Sequence, residues 1–297
     1  MSKGSSNFYL AVAVVLSAIA LFDIMSAIIK YLTAFYSVQQ LSVFRNIFGI
    51  PPTILILLWT KDWIDSGRPI IIRQWKHALL RGFIVAGAQV FLYLGLINLD
   101  FAVATTIAFS GPLFITALSI PILGHRIGPW RWAAVAIGFL GVLLVVRPNA
   151  ADFTFYAFMP ACAALCYASV SVSSRLFDES IPTALINMYS IVGALAGSVG
   201  LLVFTGNVET VASLEHWLLL IAMGAAGGTA VFCLVYAYRL AEPSSLSPFE
   251  YFGIPFSFVL GWLIFNEAPF GRLIPGVFLI VGGGLMIVWR EHMHKKQ

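Results

Sequence analysis

The sequence is short of charge: Asp, Glu, Lys and Arg make up 10% of its 297 residues, against 60% hydrophobic. A water-soluble domain carries about a quarter charged residues, so this chain has too few polar groups to cover a water-facing surface. The mean hydropathy of +0.93 agrees. The sequence reads as an all-α integral membrane protein in contact with the lipid bilayer over most of its length.

Histidine and cysteine are scarce too. The five histidines, at 77, 125, 216, 292 and 294, sit at or beyond the ends of apolar runs. No His-Glu-x-x-His, Gly-Lys-Ser/Thr or Gly-x-Ser-x-Gly element occurs, so the familiar enzyme chemistries and direct drive by ATP lack their residues. Cys162, Cys166 and Cys233 lie in apolar segments without the further ligands a zinc site needs, and read as small buried hydrophobes. No enzyme activity, metal or cofactor is expected. The net charge of +4 comes from basic residues scattered through short loops, with no stripe for nucleic acid. The N-terminal apolar run is too long for a signal peptide and lacks a small-residue cleavage site, so it reads as a retained first span.

What is present is a series of apolar runs. A helix needs about 20 apolar residues to cross the hydrocarbon core. Ten runs meet this, near 8–31, 38–60, 78–98, 101–123, 130–147, 153–174, 182–204, 216–239, 244–266 and 270–289. With the N-terminus inside, thirteen Lys and Arg residues fall on the inner side and three on the outer, while Arg45 lies within a span. That bias predicts cytoplasmic termini. The longest connection, 61–77, carries Trp63 and Trp75, which suit the membrane interface.

Residues 93–147 can be laid on 236–290 at a constant offset of 143, with eight coincident positions that include Phe109/Phe252, Pro112/Pro255 and Gly141/Gly284. The halves 1–148 and 149–297 then hold five spans each. An odd number forces the second half to enter the membrane from the opposite side. Ten transmembrane helices in two inverted five-helix repeats are expected, with the substrate site near mid-membrane where the halves meet.

The stretch "FDIMSAIIK" (22–30), with "FRN" (44–46), "FSGPLFITALSIPILGHRIG" (109–128), "RWAAVAIGFLGVLLVVRP" (131–148), "YAYRLAEPSSLSPFEY" (236–251) and "FNEAPF" (265–270), resembles the ten-span EamA type of the drug/metabolite transporter superfamily. Members with two units typically show Gly-Glu after the fourth span. This chain has Gly124-His125 there, and keeps the acid of the second unit in Asn266-Glu267. The resemblance implies a helical bundle in a bacterial inner membrane with a central cavity and alternating access. It also implies a cargo of the kind relatives carry: riboflavin, S-adenosylmethionine, amino acids or amino-acid-like metallophores.

Acids and bases inside spans mark substrate or ion pathways by default. Asp23 and Arg45 come to one depth, about 12 Å and 11 Å from the outer ends of spans 1 and 2. Treated as neighbouring helices, they would form an ion pair, structural or part of the site. Lys30 reads as a snorkelling residue. Glu250, set among Phe249, Tyr251, Phe252 and Phe256, is the second isolated acid. Pro112 and Pro255 mark helix breaks in spans 4 and 9. Gln89 and Tyr93 share a helix face, and Ser110, Thr105, Thr106, Tyr167, Tyr236 and Tyr238 are further polar candidates. Gly193/Gly197 and Gly224/Gly228 have small-xxx-small spacing, compatible with packing inside one chain or in a homodimer.

The expected function is secondary active transport of a vitamin-like or nucleoside-like metabolite, with a protonatable Asp23 suited to proton coupling. Export of amino acids or metallophores is the alternative within this class. An uncoupled channel or facilitator is the alternative outside it.

Overall fold

The computed structural model describes residues 3–123, 129–146, 154–178, 180–205, 208–240, 246 and 249–294. Among these every regular element is helical. In chain order they are α1 (Lys3–Leu32), α2 (Val38–Trp59), the short α3 (Lys61–Asp65), α4 (Trp75–Asn98), α5 (Phe101–Ala108), α6 (Gly111–Leu123), α7 (Pro129–Val146), α8 (Met159–Ser173), α9 (Thr183–Thr205), α10 (Leu214–Leu240), α11 (Gly253–Phe265), α12 (Phe270–Leu273) and α13 (Gly276–His294). A 3-10 turn, Phe155–Phe158, leads into α8.

Seven helical stretches among the described residues are long and apolar enough to cross a membrane: Phe8–Leu32, Val38–Trp59, Trp75–Asn98, Phe101–Ile122, Phe155–Leu176, Thr183–Thr205 and Leu214–Leu234. Two shorter apolar helices, Trp132–Val146 and Gly253–Phe265, accompany them. Many large apolar side chains stay exposed on the outside, such as Phe204 at 92% and Leu263 at 69%. On a bilayer-embedded surface these face lipid.

Local chemistry sets the helix ends. Ser37 opens α2 by accepting the Gln40 N–H at 3.3 Å, an ordinary N-cap. The stretch from Phe101 to Leu123 is interrupted at Phe109–Ser110, just before Pro112. Pro112 has no N–H to donate, and its ring crowds the carbonyl four residues back. Pro255 stands alike: the helical turn at 249–250 is interrupted at Tyr251–Phe252, and Pro255 lies in the first turn of α11, where its missing N–H leaves no bond unmade.

Helix order in space differs from order in sequence. Helix α1 packs most extensively against α10 and also against α11, while α2 packs on α10 and α9. Helix α4 lies between α8 and α9, α6 lies on α8, α5 on α11, and α7 on α13. Glycines permit the closest crossings. A Cβ at Gly193 would strike the Leu79 carbonyl oxygen of α4, and one at Gly224 would strike Phe48 of α2. Gly197 faces Phe83 and Ala86, and Gly228 faces Pro52. All four glycines of the small-xxx-small pairs thus serve contacts within the chain.

Trp63 packs inside the chain. It is 8% exposed, packs with Ile56, Leu57, Ile72 and Ala78, and its indole donates to the Pro69 carbonyl at 2.8 Å. Trp75 is exposed. The bundle has two ends, a Lys30 end near the α1–α2 turn and a Trp75 end at the start of α4.

Candidate functional site

A polar network crosses the bundle at α2, α4 and α9. The Asn46 and Gln89 side chains form a reciprocal amide pair, Nδ2 to Oε1 at 3.1 Å and Nε2 to Oδ1 at 3.0 Å. Asn46 Nδ2 also donates to Ser198 Oγ at 3.3 Å. Arg45 Nη1 donates to Asn46 Oδ1 at 3.1 Å. The amides and Ser198 are buried, whereas Arg45 keeps partial exposure. Arg45 lies about 11 Å below Val38 and Gln89 about 14 Å below Asn98, so the layer sits well inside the hydrocarbon region.

The surroundings of Arg45 are interior ones. Tyr93 of α4 and Tyr167 of α8 are within its electrostatic reach. A Cβ on Gly227 of α10 would lie 3.5 Å from both Arg45 Nε and Nη2. Ser42 adjoins the Tyr93 hydroxyl, yet neither hydroxyl makes a hydrogen bond of good geometry. A charge at this depth is tolerated where it faces the bundle interior or a water-filled cavity. The half-exposed guanidinium, held on one edge by the amide pair, has its other donors available for a polar group of a ligand.

The expected Asp23–Arg45 ion pair does not form. Gly227 explains why: its side-chain position lies 2.6 Å from Met25 Sδ of α1 as well as beside Arg45 of α2, so α10 stands between the two helices. Asp23 is 3% exposed, and its Oδ2 has no hydrogen-bond partner. A buried carboxyl oxygen without a partner is costly.

Lys30 does not snorkel. Its ammonium bonds both carboxylate oxygens of Glu267, at 2.7 and 3.0 Å, and the Leu99 carbonyl at 2.8 Å, over the Phe265 ring at 5.1 Å. Glu267 Oε2 also accepts the Phe101 N–H at 2.6 Å, placing a negative charge at the α5 N-terminus. Nearby, Tyr36 and His216 Nδ1 are 2.6 Å apart, and Gln40 bonds the Glu209 backbone twice. These bonds tie α1, α2, α5, α10 and the α11–α12 connection together at the Lys30 end. Lys30→Met should lower stability by about 2 kcal/mol, since it strands a part-buried carboxylate. Unfolding midpoints in detergent check this, with the double variant Lys30→Met/Glu267→Met recovering part of the loss; equal midpoints for the single variant and wild type would show the clamp to be energetically idle.

The remaining candidates lie elsewhere. Glu250 and Phe249 are half-buried just before α11, and Phe249 stacks on Phe252 at 6.3 Å and meets Phe8 edge-on at 6.4 Å. Phe252 and Phe256 are 56% and 38% exposed and, with Pro255, border an apolar groove against Leu16, Ile19 and Ala20 of α1. Tyr251 is buried, with its hydroxyl unpartnered. Ser110 is spent on its own helix, donating to the Ile107 carbonyl at 2.6 Å, and Thr105 does likewise to Phe101 at 2.9 Å. Pro112 is half-buried. Tyr236 is exposed and stacks on Phe232. The side chain of Tyr238, and the whole of Gly124, His125 and Pro248, lie outside the described residues.

Sequence reasoning placed Arg45, Gln89 and Tyr93 on the candidate site and missed Ser42, Asn46 and Ser198. Two signals pointed to the first two of these. Ser42 and Asn46 stand four apart on one face, as Gln89 and Tyr93 do, and an Asn inside an apolar run is rare.

A bundle of long apolar helices around a buried polar layer defines a multi-pass membrane protein. The model of the EamA-like transporter family matches residues 9–147 and 154–289, so the chain belongs to that family, within the drug/metabolite transporter superfamily, and carries two EamA units. It is similar to the riboflavin transporter of Vibrio cholerae, 28% identical over 261 residues that cover 84% of this chain and 87% of the relative. The S-adenosylmethionine uptake transporter of Rickettsia bellii is 26% identical over 272 residues, 91% of this chain and 89% of that one. The pseudopaline exporter of Pseudomonas aeruginosa is 26% identical over 261 residues, 88% and 89% of the two chains. A solved crystal structure, 21% identical, superposes with a TM-score of 0.64 over 93% of this chain and 96% of that one, and shares its fold.

Proposed function

We propose that the chain is a secondary active transporter of a small, vitamin-like or nucleoside-like organic metabolite, working by alternating access in a bacterial inner membrane with both termini cytoplasmic. The observation that carries this reading is Arg45: a cation deep in the bundle, anchored by Asn46 and Gln89, flanked by Tyr93 and Tyr167, and left partly accessible. An aromatic metabolite with a polar end would pack beside Tyr167, which keeps partial exposure, and bond the guanidinium. The riboflavin and S-adenosylmethionine carriers among the relatives transport molecules of that type.

Helix packing supports two inverted repeats. Exchanging the two halves span for span maps α1–α10 onto α8–α4, α2–α10 onto α9–α4, and α1–α11 onto α8–α6. It maps α2–α9, α5–α11 and α7–α13 onto themselves. Such a pattern suits a two-fold relation between halves of five spans, and rocking of one half against the other would expose the Arg45 layer to each side in turn. The likeness to the pseudopaline exporter favours, as a second reading, outward movement of an amino-acid-like compound through the same site.

Counterflow in proteoliposomes tests the proposal, with radiolabelled riboflavin and S-adenosylmethionine as probes. Saturable uptake accelerated by unlabelled substrate on the far side is expected; flux without that acceleration would indicate a channel. Arg45→Gln should lower kcat/KM by about 10–100-fold, the worth of one charge-assisted hydrogen bond. Unchanged kinetics in that variant would remove the guanidinium from the site.

A further inference from the structure

Near the Trp75 end a second arginine is enclosed in the bundle. Arg81 of α4 is 7% exposed. Its Nη2 donates to the Val170 carbonyl of α8 at 3.0 Å, and its guanidinium lies over the Phe177 ring at 5.4 Å. Nε and Nη1 have no partner. The Val170 oxygen is shared, since it also accepts the Ser173 hydroxyl at 2.9 Å.

An arginine cannot shed its charge at physiological pH, and a buried charge is ordinarily paired with an anion. Arg81 forms no ion pair with a carboxylate among the described residues. Asp178 is not available to it: this acid is exposed, its Oδ1 accepts the Ser180 N–H at 3.0 Å, and its own N–H bonds Gln74. At this end the exposed cations Lys61, Arg68, Arg73, Lys76 and Arg175 outnumber the exposed acids Asp62, Asp65 and Asp178, a balance that favours anions. Arg81 lies about 9 Å in from Trp75, a depth that a phosphate at the membrane interface or in solution can approach.

We infer that Arg81, backed by Val170 and Phe177, is an oxyanion-binding site that takes a phosphate group at the Trp75 end, separate from the Arg45 layer. A phospholipid headgroup and a free phosphate ion offer the same chemistry. A phosphate oxygen between Nε and Nη1, atoms that the surrounding side chains now close to solvent, would enter by displacing that cover and would supply the acceptor the protein does not.

The test compares unfolding midpoints in a phosphate-free maltoside detergent, in chloride at fixed ionic strength. Three conditions are run: no addition, inorganic phosphate, and phosphatidylglycerol. A ligand that binds the folded state raises the midpoint by mass action. The wild type should gain several degrees with at least one of the two anions, Arg81→Lys should gain less, and Arg81→Gln should gain nothing. A response to phosphatidylglycerol alone assigns a lipid headgroup; a response to inorganic phosphate as well assigns a free oxyanion. Should Arg81→Gln not fold, the wild type and Arg81→Lys carry the comparison. Absence of any shift in the wild type, or equal shifts in wild type and variants, overturns the inference.

Discussion

Asp23→Asn should abolish or severely impair transport while the protein still inserts and folds. Asp23→Leu should do the same and also unfold at a higher temperature. Both follow from one observation, that Asp23 Oδ2 is buried without a partner. Replacing an unsatisfied buried polar group by an apolar one is neutral or stabilising, by about 1–3 kcal/mol. A residue that weakens the fold is retained for what it does, and proton or substrate binding during the cycle is the role that an isolated membrane carboxylate suits. Proteoliposome uptake and a detergent melt on the same preparations decide the matter. Wild-type turnover in Asp23→Asn would make the carboxylate a bystander, and a large drop in midpoint would make it structural.

Gly82→Leu should leave little folded protein. A Cβ at Gly82 would lie 2.5 Å from Ala194 N and 2.6 Å from Gly193 Cα, and would run into the Ser190 carbonyl oxygen. Each of these is backbone, which cannot turn aside as a side chain can, so α4 and α9 would have to separate. Overpacking of this kind costs about 3 kcal/mol or more, in a contact on which the α2–α4–α9 polar network depends. Gly87→Ala on the same helix is the control. Nothing lies within 4 Å of its added carbon, and alanine favours the helix by about 1 kcal/mol. Size-exclusion profiles of fluorescent fusions would separate the two variants, and a monodisperse, heat-stable Gly82→Leu would refute the backbone-contact argument.

Much of this was legible in the residues. Length and apolarity located the long helices, because a bilayer demands both. A break before Pro112 was readable from proline chemistry, and the pairing of Gln89 with Tyr93 on one face from helix periodicity. The partners of individual charges were not. Depth along a helix is one coordinate of three, and it says nothing of which helix stands alongside. Asp23 and Arg45 share a depth, but α10 lies between their helices. Lys30 found its acid 237 residues further on, beyond any local pattern.

The interleaving of helices bears on how the chain is made. Helix α1 meets its main partner, α10, only after more than half of the polypeptide has followed it out of the ribosome. At a synthesis rate of about 5–20 residues per second, Lys30 waits roughly 10–50 s for Glu267 to be translated. During that interval Asp23 and Lys30 sit in lipid, or in the insertion machinery, without the surroundings that later enclose them. Cutting the gene between the two EamA units should therefore yield fragments that accumulate only when co-expressed, each half being the scaffold on which the other matures.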